Sequence, residues 1–239
     1  MSDHLRVVAD DEPVVEPVDT GEPVQVGTIV EPESTVVGRA AAVALWGLAG
    51  RIVSIEAVIS SGLPGIDIVG LPDASVSESR KRLRAALAFL GLPVATQHLT
   101  INLTPGSVPK IGTGFDLGIA VAVLRARGII PPADTESVVH CGELGLDGRI
   151  RPVSGVLPVL HAGLLAGFER FVVPAGNSAE AALLGTAEVK AVSSLAELVN
   201  VYGGTLTVPQ LPPVVEPAGP ATSAPELHDL AAGQGQEEA

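Results

Sequence analysis

Apolar and polar residues alternate strictly across "HLTINLTP" (98–105), a period of two that predicts a strand with one buried face. "VALWGL" (43–48) and "IVSIEAVIS" (52–60) carry similar strand signals and read as a pair joined by a turn at Gly50-Arg51, with "GIDIVG" (65–70) as a third strand. The period then changes. Val76, Leu83, Leu87 and Leu90 fall at helical spacing in "SVSESRKRLRAALAFLG", where Ser75 and Glu78 form a capping box and Gly91-Leu92-Pro93 stops the helix. "GFDLGIAVAVLRARG" (114–128) predicts a second, more apolar helix closed by Gly128 and Pro131.

Beyond it, "VVHCGELGLDGRIRPVSG" (138–155) reads as strand-turn-strand with a type I′ hairpin signal at Asp147-Gly148. Helices are expected over 155–167, 177–185 and 194–204, with short strands over 170–176 and 188–192. The order is βββαβαββαβαβα, a mixed α/β fold (α+β in its hairpins) without internal repeats. Hairpins at both ends argue against a purely parallel doubly wound sheet.

Outside this span the periodicity stops. Residues 1–37 hold nine acids against one base, and 205–239 hold five acids and no base. The segment between them balances thirteen acids with thirteen bases, so the net charge of −13 belongs to the ends. Their Pro-rich, acidic composition predicts disordered tails at 1–37 and 205–239 acting as solubilising spacers, flanking one domain at 38–204. With aromatic residues at only 3%, the core must be built from Val, Leu, Ile and Ala.

The lone Cys141 excludes an internal disulfide and fits a reducing compartment. There is no basic, then apolar, signal-peptide start, and the longest apolar stretch, "AAAVALWGLAG", is too short for a bilayer. A soluble, cytoplasmic protein without a membrane partner is expected.

The candidate chemistry centres on "PKIGTGFDLGIAVAV" (109–123), a glycine-spaced loop running into a helix. Such loops can cradle phosphate, but a P-loop needs Gly-Lys followed by Ser or Thr. None of Lys81, Lys110 and Lys190 is followed by either, so this chain alone should not hydrolyse ATP. Ser107 and Lys110 spell a serine-lysine signature, yet Pro109 lies between them where that chemistry requires a helix turn. His140, Cys141 and Glu143 are metal-ligand types, but on a strand His140 faces away from the other two, so a metal is not expected. Arg80, Lys81, Arg82 and Arg84 concentrate positive charge on the first helix: a phosphate contact, or simply a solvated face.

Taken together, "VISSGLPGIDIVGLPDASVSESRKRLRAAL", "LTINLTPGSVPKIGTGFDLGIAVAVL" and "GELGLDGRIRPVSGVLPVL" resemble the N-terminal region of ComM/YifB proteins, magnesium-chelatase-like AAA+ ATPases. The resemblance runs from about residue 40 to 203. It implies a Lon-protease-like, ribosomal-S5-domain-2-like fold and a DNA-recombination context, the family including a hexameric branch-migration helicase. It also implies that this chain ends where the ATPase module would begin, "VPQLPPVVEPAG" replacing the linker.

In Lon proteases a similar Pro-Lys-x-Gly loop leads to the catalytic Ser, and a Lys follows from a later helix. The resemblance places Asp116 at the Ser position and Leu157 near the Lys. An Asp cannot be activated as that serine is, and leucine is no base, so no catalytic residue is expected. Asp116 instead suits a helix cap that holds the Gly112–Gly114 loop in shape.

The function expected is a non-catalytic accessory of DNA processing, binding DNA through Arg80, Lys81, Arg82, Arg84 and Lys110, or assembling with an AAA+ ATPase chain. A split ATPase of which this is one half, and a truncated product without a task, are the alternatives. Partners are then DNA, an ATPase chain or copies of itself. No cofactor is expected in this chain, ATP and magnesium arriving only with an ATPase partner.

Overall fold

Strands β1 (Gly38–Trp46) and β2 (Ala49–Ser61) form a long antiparallel hairpin, with Gly38 opposite Ala57 and Trp46 opposite Ala49. The structure, a computed structural model, describes residues 36–47, 49–94 and 97–206. The expected tails fall outside it apart from residues 36, 37, 205 and 206. The hairpin turns at Gly47 (φ 61°), and Gly50 and Arg51 lie inside β2. The expected turn is thus displaced, because Trp46 pairs with Ala49 and closes the hairpin there; β1 also begins five residues earlier than its Val and Leu signal, in the run Gly38–Ala42.

That alanine-rich start is a strand because of what lies on it. Helix α2 (Asp116–Ala126) is buried from Asp116 to Leu124 and packs against the hairpin. A Cβ on Gly38 would sit 1.8 Å from the Ala122 carbonyl oxygen, and one on Gly118 would sit 2.7 Å from Ile55 Cδ1. Small residues on strand and helix let the two backbones close to a distance that larger side chains forbid.

β3 (Gly65–Val69), α1 (Ala74–Phe89) and β4 (Gln97–Thr104) follow, then α2, β5 (Val138–His140), the short β6 (Glu143–Leu144) and β7 (Ile150–Arg151), α3 (Val156–Leu165), β8 (Arg170–Pro174), α4 (Ser178–Ala181), β9 (Glu188–Val192) and α5 (Leu195–Val201). The main sheet runs β3-β4-β2-β1-β5-β8-β9. β2 is antiparallel to both β4 and β1, and the other neighbours are parallel. This is the expected mixed α/β sheet with packed helices.

The period of two in β1 feeds two cores. Ala40, Ala42 and Ala44 join Leu83 and Leu87 of α1, the apolar length of α2, and Leu195 and Leu198 of α5. Val43 joins Val156, Val159 and Leu160 of α3 with Phe171 and Val173 of β8. β4 shows the same alternation, burying Leu99, Ile101 and Leu103 while exposing Thr100 and Thr104.

Four local expectations change. The α1 N-cap is Asp73, whose Oδ1 accepts from the Val76 amide at 2.7 Å, rather than Ser75. The segment 138–155 gives three strands instead of two, because Gly142 leaves the sheet: its amide donates to Gly114 O (3.0 Å) and its carbonyl accepts from Leu117 N (3.2 Å). The β6–β7 turn is not type I′: of its residues only Gly148 has a positive φ (78°), and Gly148 N donates to Gly145 O (3.1 Å). The expected helix 177–185 is reduced to α4 and flanking 3₁₀ turns.

Candidate functional site

The glycine-spaced loop is held from beneath by charged side chains. Asp73 caps α1 with one oxygen and with the other accepts from the Gly112 amide (3.1 Å), where φ is 89°. The Lys110 side chain is fully buried. Its ammonium donates to Gly70 O at 2.7 Å and to Pro105 O, and burial lowers its pKa. Lys110 therefore ties together the chain before and after β4. Ser107 stands outside this contact, and no serine-lysine pair forms.

Asp116 follows. It does not cap α2: the N-cap position is Phe115, without a side-chain bond, and Asp116 reaches sideways to α1. Its Oδ2 accepts from Arg82 Nε (2.6 Å) and from the Leu144 amide (3.0 Å), and its Oδ1 accepts from Arg82 Nη2 (2.9 Å) and Ser79 Oγ. Arg82 Nη2 also donates to Ser75 O at 3.0 Å. The pair is bidentate, 1% exposed at Asp116 and 16% at Arg82, and the bond to Asp116 raises the guanidinium pKa further. Helices α1 and α2 and strand β6 are joined here. The expected cap is replaced by a cross-link, and the Gly112–Gly114 loop owes its shape to Asp73 and Gly142 instead.

Leu157 lies in the first turn of α3, half-buried, with its amide donating to Glu180 Oε1 (2.9 Å). A cleft of about 390 Å³ opens between residues 111–115, Cys141, Glu143 and residues 152–154, and neither Asp116 nor Leu157 lines it. Cys141 in its wall is buried, and burial pushes the thiol up to about 12, so it carries no thiolate near neutral pH. His140 turns to the other core. Its Nε2 meets Tyr202 Oη at 2.6 Å and its Nδ1 meets Ala41 O at 3.2 Å, and burial lowers its pKa to about 4. The ring is neutral, donating from Nδ1 and accepting the Tyr202 hydroxyl proton at Nε2.

Of the basic run on α1, Arg80, Lys81 and Arg84 are exposed while Arg82 turns inward. The exposed ones line a groove of about 560 Å³ with Gly65, Ile66 and Asp67 of β3 and Ala85 and Ala88 of α1. The loop Lys110 is not part of that surface. Sequence reasoning passed over Ser79 and Asp73. Asp73 carried a signal, an N-cap residue three positions before Val76, whereas Ser79 sits unmarked inside the basic run.

A model of the family described as subunit ChlI of Mg-chelatase matches residues 55–177, which include the whole Arg82–Asp116 cross-link. The chain belongs to this family. An uncharacterized protein of Mycobacterium tuberculosis is 47% identical over 161 residues, 67% of this chain and 32% of that protein. The competence protein ComM of Haemophilus influenzae is 30% identical over 196 residues, 82% of this chain and 38% of ComM. A Lon protease of Geobacter metallireducens is 26% identical over 157 residues, 62% of this chain and 18% of the protease, which fits the mixed α/β fold. The chain spans about a third of the length of the M. tuberculosis relative.

The family description raises magnesium. Among the described residues no three His, Cys, Asp or Glu side chains gather to hold a cation, and the loop's Lys110 is committed to two carbonyls. Among the described residues no helix is long and apolar enough to cross a membrane.

Proposed function

We propose that this chain is a non-catalytic assembly module of a cytoplasmic DNA-processing machine, and that it works by binding an ATPase-bearing chain. The observation that carries this reading is Asp116. The position that resemblance to Lon proteases gives to a nucleophile is buried and closed by Arg82, Ser79 and the Leu144 amide. A carboxylate held that way can brace two helices and cannot attack a substrate. Membership in a family described as a subunit, and a span of 82% of this chain against a competence protein, supply the context. ATP and magnesium belong to the partner's site.

The test is reconstitution. The ATPase module of a ComM-type relative, prepared without its own N-terminal segment, is assayed for ATP hydrolysis with and without this chain, with sedimentation to count subunits, copies of this chain included. The module reading expects a stable complex and a changed rate. Full activity and no complex would overturn it.

A second reading rests on Arg80, Lys81 and Arg84. Their exposure on one helix face supports a nucleic-acid contact, whose affinity would fall steeply with salt. Against it, the span 38–204 carries as many acids as bases, and Glu78 lies 3.9 Å from Lys81. The broad positive field of a nucleic-acid domain is not built here.

A further inference from the structure

Strand β3 ends the main sheet, and among the described residues its only strand neighbour is β4. An open strand edge is a row of unpaired backbone donors and acceptors, which natural folds blunt with charge, bulges or cover. Beside β3 lies the groove whose other wall is α1. The helix contributes Arg80, Lys81 and Arg84 to it, followed one turn further along by the small Ala85 and Ala88. Room is therefore left where a larger residue would fill it. Ile66 points into the core with Leu99, while Asp67 bonds His98 Nε2 at 3.0 Å.

We propose that this groove takes an extended peptide segment, which adds to the edge of β3 left unpaired among the described residues and sets acidic side chains two residues apart against Arg80 and Arg84. The spacing supports it. Residues four apart on a helix rise about 6 Å, and residues two apart on a strand advance about 6.7 Å, so alternate acids meet successive basic turns. Backbone pairing supplies affinity independent of sequence, and the bases select acidic side chains on one face of the peptide. A nucleic acid could use the bases but has no use for the strand edge, which favours the peptide. The inference rests on the module reading and names how such a module would hold its partner.

The experiment uses the full chain labelled with nitrogen-15 and four probes: acetyl-(Val-Glu)₄-amide, its Val-Lys counterpart, the Val-Glu peptide N-methylated at alternate residues, and a twelve-nucleotide oligothymidylate. The Val-Glu peptide should shift the amides of residues 65–69 and 80–88. The Val-Lys and N-methylated peptides should lose that binding. Arg80→Glu with Arg84→Glu should weaken it about tenfold or more, and Arg80→Ala with Arg84→Ala, a gentler surface change, should weaken it in the same direction. Undisturbed β3 amides, indifference to N-methylation, or tighter oligonucleotide binding at the same residues would overturn the proposal. If the peptide fails while the ATPase module is still captured, the groove inference falls alone; if both fail, the module reading falls with it.

Discussion

The two sides of α1 handle positive charge in opposite ways. Arg82 faces inward, bidentate on Asp116, with Ser79 and the Leu144 amide completing the carboxylate's bonds. Arg80, Lys81 and Arg84, within two residues of it, face the groove beside β3. Four bases in a row of five look alike in a sequence. The helix separates them by angle, about 100° per residue, so one enters the interior and must find an anion while the others stay in water. What this teaches is that the basic cluster is two features: a structural cross-link and an exposed basic face.

The comparison breaks most visibly at Asp116. Asp116→Ala leaves the Arg82 charge partly buried without its partner and should destabilise the fold by about 4 kcal/mol. The check is the urea midpoint, with the slope unchanged. Replacing both partners, Arg82→Met with Asp116→Leu, should recover most of that loss, because two apolar groups leave no orphan charge.

The interior also responds to pH in a way the outer face should not. His140 is neutral in the folded chain with its pKa lowered to about 4 from 6.5. Between those values the unfolded chain binds the proton and the folded chain does not. Stability is therefore fully present above about pH 6.5, is lost as pH falls toward 4, and changes no further below that; the full difference is about 3 kcal/mol. Denaturation across that window should show the slope in the native chain and a flatter one in His140→Gln.

Next comes Lys110→Met, which keeps the stem but strips the donor from Gly70 O and Pro105 O, and should cost about 2 kcal/mol by urea denaturation. Smallest is Arg80→Ala with Lys81→Ala and Arg84→Ala. Each exposed change should move stability by about 0.5 kcal/mol or less, while partner capture is lost.

Much of the fold was legible because its periods are strong. β4 alternates so cleanly that its buried set is the expected one, and α1 stops where Leu92-Pro93 requires. The start of β1 was not, since Gly38–Ala42 carries no strand preference and owes its conformation to α2 lying on it. At the site, Asp116 was marked by its place at a helix start, but a helix-start aspartate suggests a cap. Its actual partners, Ser79, Arg82 and Leu144, lie 28 to 37 residues away, and no local spacing points to them. Lys110 likewise had the look of a loop cation for phosphate, and only the return of Gly70 beneath it shows where its protons go.

The measurement that tests the division of α1 most directly pairs two readouts on one protein, the Arg80→Ala, Lys81→Ala, Arg84→Ala variant: its urea midpoint and its capture of the ATPase module. The account predicts a midpoint moved far less than Asp116→Ala moves it, with capture lost. Capture at the native level, or a midpoint lowered as far as Asp116→Ala lowers it, would contradict it.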